Sequence, residues 1–536
     1  MKQFATLVRD LDQTNRTKRK VDLLAAYFKS APPQDRIWTI ALFTGRRPKR
    51  QVGPAALRKW GAEQSKLPDW LFEECYAEVG DLAETVSLLL PPAVTFRDLS
   101  LSAMLAEIRA LENRHEEEKK AYVQARWKDL PTNERFVFNK LLTGGFRLGV
   151  AQNLICRALA QSTGFPRDQW TQRLMGQWDP ALLRWDDLVA TIPTLTPSTP
   201  YPFCLAHPYP DPLPERPPGP LEEWLGEWKW DGIRSQLIKR EGEIFLWSRG
   251  EDLINPSFPE ITEAAETLPE GTVLDGEILA WSNSSNRPLP FQNLQKRLNR
   301  KKPGPSLRSR IPVVFMAYDL LESKGTDQRP KSLVERRRIL EKILSLEASN
   351  SPLRISPLAP AKYWSDLAQM RHQSRDRGTE GLILKKKSSP YAVGRKRGVW
   401  WKWKIDPLSL DAVLVYAQRG HGRRSGLYTD YTFALWDGNE LVPFAKAYSG
   451  LANSEIREVD RFIRQNTREK FGPVRTVTPE LVFEVGFEGI VPSKRHKSGF
   501  AVRFPRILRW RQDKKAAGAD HLESLRELLR ATSPIP

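Results

Sequence analysis

Eleven prolines fall between residues 193 and 220, most of them in TPSTPYPFCLAHPYPDPLPERPPGP. Proline fixes its own φ, offers no N–H and pushes the preceding residue out of the helical region, so such a run forms neither a helix nor an inner strand. It reads as a semi-rigid extended connector that marks a domain boundary. The hydrophobic period differs on its two sides. Ahead of it the period is helical: in TKRKVDLLAAYF, Val21, Leu24, Ala25 and Phe28 follow the i, i+3, i+4, i+7 stripe, and Pro32-Pro33 stops the helix. A second helix, DRIWTIALF, ends near Gly45 and enters the basic loop Arg46-Arg47-Pro48-Lys49-Arg50. A third, NERFVFNKLL, reaches the turn Gly144-Gly145-Phe146-Arg147-Leu148-Gly149 before the helix AQNLICRALA. Bare N–H groups at a helix start can seat a phosphate, and an ordinary interhelical turn accounts for the same residues.

From about residue 221 the period is two. RSQLIKREGEIFLWS reads as a hairpin turning at Glu241-Gly242; TVLDGEILAW, VVFMAYDLL and GLILKKK are further strands, with an amphipathic helix, SLVERRRILEKIL, between the last two. This α+β unit ends near Pro407. LDAVLVYAQR, LYTDYTFALWD, ELVPFAKAYS and LVFEVGFEGIV follow as strands, with one helix, NSEIREVDRFIRQNT, before the fourth. That order suggests a small barrel of the OB type. A length of 536 residues suits about three or four units at roughly 150 residues each. The expected fold is therefore multidomain: an all-α domain over 1–197, an α+β domain over 198–407 and a C-terminal β-barrel OB-fold over 408–536.

Apolar residues make up 40% and charged residues 28%, which supports packed cores and excludes disordered and collagenous classes. Lys and Arg number 84 against 64 Asp and Glu, a net charge of +20. Such a surplus suits a polyanionic partner. The three cysteines (Cys75, Cys156, Cys204) are far apart and form neither a disulfide framework nor a zinc knuckle. The first residues lack an apolar signal core, and no stretch approaches 18 apolar residues. The expectation is a protein with no membrane association, in the cytoplasm or at the nucleoid.

The sharpest local signal is Glu227-Trp228-Lys229-Trp230-Asp231-Gly232-Ile233-Arg234. On a strand, Lys229 and Asp231 share a face. Alone, KxDG is short enough to arise by chance as an exposed Lys–Asp pair. It is followed in order by Ser248-Arg249-Gly250, Leu274-Asp275-Gly276-Glu277, Phe315-Met316-Ala317-Tyr318-Asp319, Glu380-Gly381-Leu382-Ile383-Leu384-Lys385, Trp401-Lys402-Trp403-Lys404 and Arg503-Phe504-Pro505 with Arg509, Arg511, Asp513 and Lys514. A lysine attacks only when neutral, against an ordinary pKa near 10.4; neighbouring cations and partial burial favour that form. Lys385, Lys402 and Lys404 are available for this. Residues 385–404 hold eight Lys or Arg and no acid, interleaved with Trp400, Trp401 and Trp403, which a simple solvated face does not need.

The ordered series resembles the motif set of the covalent nucleotidyltransferases, most closely that of ATP-dependent DNA ligases of the bacterial three-domain type. The helical region with TGGFRLGV resembles the DNA-binding domain ahead of the catalytic core in larger members, and ALFTGRRPKR, LAHP and QRGHGRRSGLYTDYTFALW extend the likeness over nearly the whole chain. The resemblance implies nick sealing in DNA repair or replication, through a lysyl-AMP intermediate at Lys229 and an adenylylated DNA. It implies catalytic roles for Lys229, Asp231, Lys402 and Lys404, and nucleotide contacts from Glu227, Arg234, Arg249, Glu277, Tyr318 and Lys385. The basic C-terminal motif, Arg503, Arg509, Arg511, Asp513 and Lys514, would orient the β- and γ-phosphates of ATP. Asp275, Glu277 and Glu380 would hold Mg²⁺, or Mn²⁺ in its place, since hard cations take oxygen ligands. Arg234, Arg249, Gly144, Gly145 and Arg147 would touch DNA. Tyr318 suits either stacking on adenine or a core position on a strand; many relatives carry Phe here, and Tyr preserves stacking. The implied partner is nicked duplex DNA, encircled by a monomer.

Three other readings compete. RNA ligases and mRNA-capping guanylyltransferases share the Lys-x-Asp-Gly chemistry, although capping enzymes do not usually carry a long helical domain. An NAD-dependent ligase needs four zinc-binding cysteines. A non-catalytic DNA-binding scaffold does not require Lys229, Glu277, Glu380 and Lys402 together.

Overall fold

The computed structural model describes residues 1–93, 98–143, 145–146, 148–175, 178–190, 197–210, 213, 215–298, 300, 302–345, 351–420, 426–472 and 474–532. Contacts divide the chain into two compact units: Met1–Phe165 with Pro180–Asp187 and Pro407–Pro536, and Pro166–Asp179 with Leu188–Asp406. The helical and β-rich regions, expected as separate domains, fall in one unit by this division.

The N-terminal region is helical. Thr17–Ser30 buries Val21, Leu24, Ala25 and Phe28, the stripe read from the sequence. Pro32 and Pro33 act differently from the expectation. Pro33 is the first residue of the next helix, Pro33–Phe43, where a missing N–H goes unneeded. The prolines open one helix as much as they close another.

The middle unit contains two main sheets. The main path of the larger runs Leu353–Ile355, Val313–Ser323, Thr272–Ser282, Ile233–Arg240, Glu243–Ser248, antiparallel except for its first pair. Leu333–Leu344 packs on it, started by a Ser332–Glu335 capping box. Leu340, Ile343 and Leu344 join Phe315, Leu320 and Leu274 in its core. The smaller sheet orders His207–Pro208, Trp400–Lys404, Thr379–Lys386 and Trp224–Trp230. Strand alternation divides this sheet's residues. Trp224, Trp228, Trp230, Leu382, Leu384 and Trp401 form an apolar cluster with Leu279 and Trp281, while Glu227, Lys229, Ile383, Lys385 and Lys402 face a cleft.

The proline-rich stretch is not a free connector. Residues 197–210 pack into this unit, burying Tyr201, Phe203 and Cys204, and Cys204–Leu205 pairs with Gly394–Arg395. Prolines between short edge strands leave alternate residues free to pair, which composition does not reveal.

The C-terminal region is β-rich around one long strand, Leu408–Arg419. Its first half pairs with Val482–Phe487, its second with Val474–Val477, and its other edge with Tyr428–Asp437, which in turn pairs with Glu440–Ala447. The sequence reading missed a hairpin, Thr467–Phe471 with Val474–Val477, between the helix Asn453–Gln465 and the strand expected next. LVFEVGFEGIV is also two strands, Val482–Phe487 and Gly489–Pro492. Residues 421–425 of the QRGHGRRSG phrase lie outside the described residues.

One buried pair ties helix to sheet in the middle unit. Arg336 donates to both Asp319 oxygens at 2.7 and 2.9 Å, with both side chains fully buried. Breaking such a pair leaves an uncompensated charge. Arg336→Met should destabilise the middle unit by about 3–5 kcal/mol, read by denaturant unfolding, and adding Asp319→Leu should recover most of the loss.

Candidate active site

The cleft of about 300 Å³ lies in the middle unit. Seven cationic side chains line it (Lys229, Arg234, Arg249, Lys385, Arg395, Lys402, Lys404) against two acidic ones, Glu227 and Glu277. Tyr318, Trp400, Ile383 and Leu205 supply apolar wall. Such a site suits an anion joined to a flat apolar group.

Lys229 sits on the Trp224–Trp230 strand, and its Nζ donates to Glu380 Oε2 at 2.5 Å. A step in the ladder makes this contact. Register runs Trp228↔Leu382 and then Trp230↔Thr379, so Lys229 alone opposes Glu380 and Gly381. Strict alternation would aim Glu380 with Leu382 and Leu384 into the tryptophan core; a bulge re-aims it toward Lys229. Gly381 permits the bulge. Its φ is +128°, and a Cβ would stand 2.3 Å from the Trp403 carbonyl oxygen. Lys404 Nζ lies 3.4 Å from the same Glu380 oxygen. Gly232 is likewise required by close approach, since a Cβ there would meet the Ile278 carbonyl at 2.3 Å.

Lys385 Nζ donates to Glu227 Oε2 at 2.9 Å and lies 4.5 and 4.4 Å from the Tyr318 and Trp400 ring centres. Tyr318 is both a cleft wall and a mostly buried strand residue. Burial first, then Arg395, Lys404, Lys229 and Arg249, hold the Lys402 ammonium below its usual range. The cation crowding expected from the motifs is therefore felt at Lys402.

The three carboxylates expected to hold metal differ in their surroundings. Asp275 is fully buried; Arg234 donates to its two oxygens at 3.2 and 2.7 Å, and Tyr391 Oη donates at 2.6 Å. It is spent on holding Arg234 between Phe203, Tyr318 and Trp400. Among the described residues no three acidic, His or Cys side chains form a metal-holding group. Asp231 follows the end of its strand and is absent from the cleft lining, so the shared face with Lys229 is not continued by regular pleating. Arg249 lines the cleft, its N–H bonded to the Arg234 carbonyl.

The remaining expected residues lie in the other unit. Arg509 pairs with Glu484 at 2.7 Å, and Arg511 pairs with Asp513 at 2.8 Å. Lys514 pairs with Asp411, and Arg503 ends the Phe500–Arg503 strand. Gly145 borders a recess of about 190 Å³ with Arg47, Arg50 and Lys140. Gly144 and Arg147 lie outside the described residues. Sequence reasoning missed Arg395, Tyr391 and the Leu205–Ala206 wall. LAHP was the nearest available signal for the last of these.

Glu277 offers a test of the site's electrostatics. Burial raises its carboxyl to about 8, against the pull of Lys229 and Arg234 and with a push from Asp275 and Asp231. The folded protein thus keeps a proton that the unfolded chain releases near pH 4.3. Its stabilising contribution is complete below that pH and is lost as pH rises through about 8. Melting from pH 5 to 8 should show the wild type losing stability relative to Glu277→Gln.

Residues 1–160 match the family model described as DNA ligase N terminus, 220–404 that of the ATP dependent DNA ligase domain, and 424–514 that of the ATP dependent DNA ligase C terminal region. A probable DNA ligase of Koribacter versatilis is 31% identical over 565 residues, spanning 99% of this chain and 97% of that protein. DNA ligase 1 of Korarchaeum cryptofilum is 27% identical over 550 residues, with 98% of each covered. The solved structure Pmar-Lig_PreS3 superposes with a TM-score of 0.62 at 14% identity, over 95% of this chain and 99% of its own, which speaks for the fold alone. The chain belongs to the ATP-dependent DNA ligase family, whose members seal nicks in duplex DNA.

Proposed function

We propose that Lys229 is the residue that becomes adenylylated. The observation that carries this is the Lys229 amine among Glu380, Lys402 and Lys404 in a cation-lined cleft with an aromatic wall. The unprotonated Nζ attacks the α-phosphorus of ATP; an N–P bond forms and the bond to pyrophosphate breaks. A 5′-phosphate oxygen at the nick then takes the AMP, breaking the N–P bond. The 3′-hydroxyl finally attacks the 5′-phosphorus, forming the phosphodiester and releasing AMP and a proton.

Lys402 and Lys404 offset charge at the α-phosphate, Glu227 and Lys385 address the base beside Tyr318 and Trp400, and Arg249 meets the ribose or the nick phosphate. Arg234, neutralised by Asp275, positions the aromatic wall. Glu277 and Glu380 suit a divalent ion such as Mg²⁺, because two carboxylates plus substrate phosphates are a usual set. Burial raises the Glu277 carboxyl, and a cation bound beside it would favour its charged form. Bound there, the ion would neutralise triphosphate charge. The β-rich region is read as an OB fold and the three regions as domains over 1–197, 198–407 and 408–536. Arg503, Arg509, Arg511, Asp513 and Lys514 serve ATP during adenylylation. Arg47, Arg50 and Lys140 beside Gly145 meet DNA phosphates, giving strong salt dependence and little sequence preference. The chain acts as a monomer in the cytoplasm.

A mass spectrum after incubation with ATP and Mg²⁺ should show the chain heavier by one AMP. Lys229→Ala should abolish the adduct and sealing while keeping DNA affinity, and an adduct persisting in that variant would refute the assignment. Gly381→Ala should slow adduct formation by about 10- to 100-fold at saturating ATP, because the carboxylate beside the nucleophile is displaced.

A further inference from the structure

The basic C-terminal motif is arranged around a carboxylate that its sequence pattern does not include. Asp411, on the Leu408–Arg419 strand, accepts from Arg511 Nη1 at 2.6 Å and from Lys514 Nζ at 2.7 Å, both on Oδ2. The other edge of the Arg511 fork donates to Asp513, Nε at 2.9 Å and Nη2 at 2.8 Å. Two bonds fix the Asp411 main chain: its N–H donates to Asp520 Oδ2 at 2.7 Å, and the Asp520 N–H returns to the Asp411 carbonyl at 2.8 Å. Trp436 adds two further ties, from its indole to the Ala516 carbonyl and from its N–H to the Asp520 carbonyl. The segment carrying the cations is thus fastened to the sheet with its charges already matched.

Asp411 is nearly buried, while the Arg511 and Lys514 side chains stay 18% and 28% exposed. Arg511 and Lys514 keep one side in water, and screening there limits what the pairs add to stability, so stability alone is a poor reason to bring two cations onto one oxygen. Two cations converging on an oxygen with their outer sides wet form an anion seat. Asp411 and Asp513 leave the four-residue group neutral, so a phosphate gains little by resting outside it. To bind strongly it must take the place of the Asp411 oxygen. A chain of phosphates, with several charges and acceptors, is suited to that exchange; a small anion with little charge is not.

We propose that Asp411 is a stand-in anion, occupying the seat in which Arg511 and Lys514 receive the terminal phosphates of ATP and yielding it when a polyphosphate arrives. This rests on the assignment of Arg511 and Lys514 to enzyme adenylylation. Asp411 then acts as a filter: it lowers the affinity of the pair for every anion by the same exchange cost, which only polyphosphates overcome.

Full-length Asp411→Asn preserves shape and removes the competing charge. The readout is the tripolyphosphate concentration that halves AMP-adduct formation at ATP well below half-saturation, where tighter ATP binding by the variant does not offset the change. It should fall by about tenfold in the variant, since an occupied seat weakens apparent affinity by the fraction left free. Inorganic sulfate should leave the wild type uninhibited and begin to inhibit the variant. A merely structural Asp411 would loosen the site, so unchanged or weaker tripolyphosphate inhibition overturns the proposal. Should that variant fail to fold, Asp411→Ser is read in the same way: the inhibitory concentration should again fall about tenfold, and an unchanged or higher value overturns the proposal. Absence of any adduct in the wild type would instead remove the Lys229 assignment, so the two failures are told apart.

Discussion

An ammonium and a carboxylate meet at 2.5 Å because one strand carries an extra residue. Had the Thr379–Lys386 strand paired regularly with Trp224–Trp230, its glutamate would enter an indole core and Lys229 would lose its ion pair. The bulge requires a residue without a side chain at 381, wedged against the Trp403 carbonyl. The glycine and the glutamate are thus one device: the first bends the strand so that the second points correctly. Sheet geometry and active-site geometry are set by the same step.

Below that step lie paired buried charges. Arg234–Asp275, Lys385–Glu227 and Arg336–Asp319 join strands and the packed helix of the middle unit. Each pair restricts its members to one arrangement, because separating them would strand a charge in a dry interior. This rigidity suits a cleft that must hold an amine in line with a phosphorus.

Much of this was legible in the sequence, and the reasons differ by element. The helical stripe of Thr17–Ser30 and the hairpin at Glu241-Gly242 follow from period and turn chemistry, and both formed as read. The cleft residues were legible because the chemistry needs unusual residue types together. The Thr467–Val477 hairpin was not, since TREKFGPVRTV is charged and largely exposed and lacks a clean alternation. The partners of Asp275 were not legible because sequence lists carboxylates without them: Arg234 and Tyr391 approach it from 41 and 116 residues away. Asp411 went unnoticed for the same reason, its two cations lying about a hundred residues downstream.

The weaving of residues 204–208 into the middle unit has a bearing on what counts as its catalytic module. The recognisable domain begins at residue 220, yet Leu205 and Ala206 wall the cleft and His207–Pro208 covers an edge of the smaller sheet. A fragment cut where that family model starts would present an unsatisfied strand edge to solvent and a nucleotide chamber lacking one side. Recognisable pattern and mechanical integrity therefore set different limits on the same piece of chain.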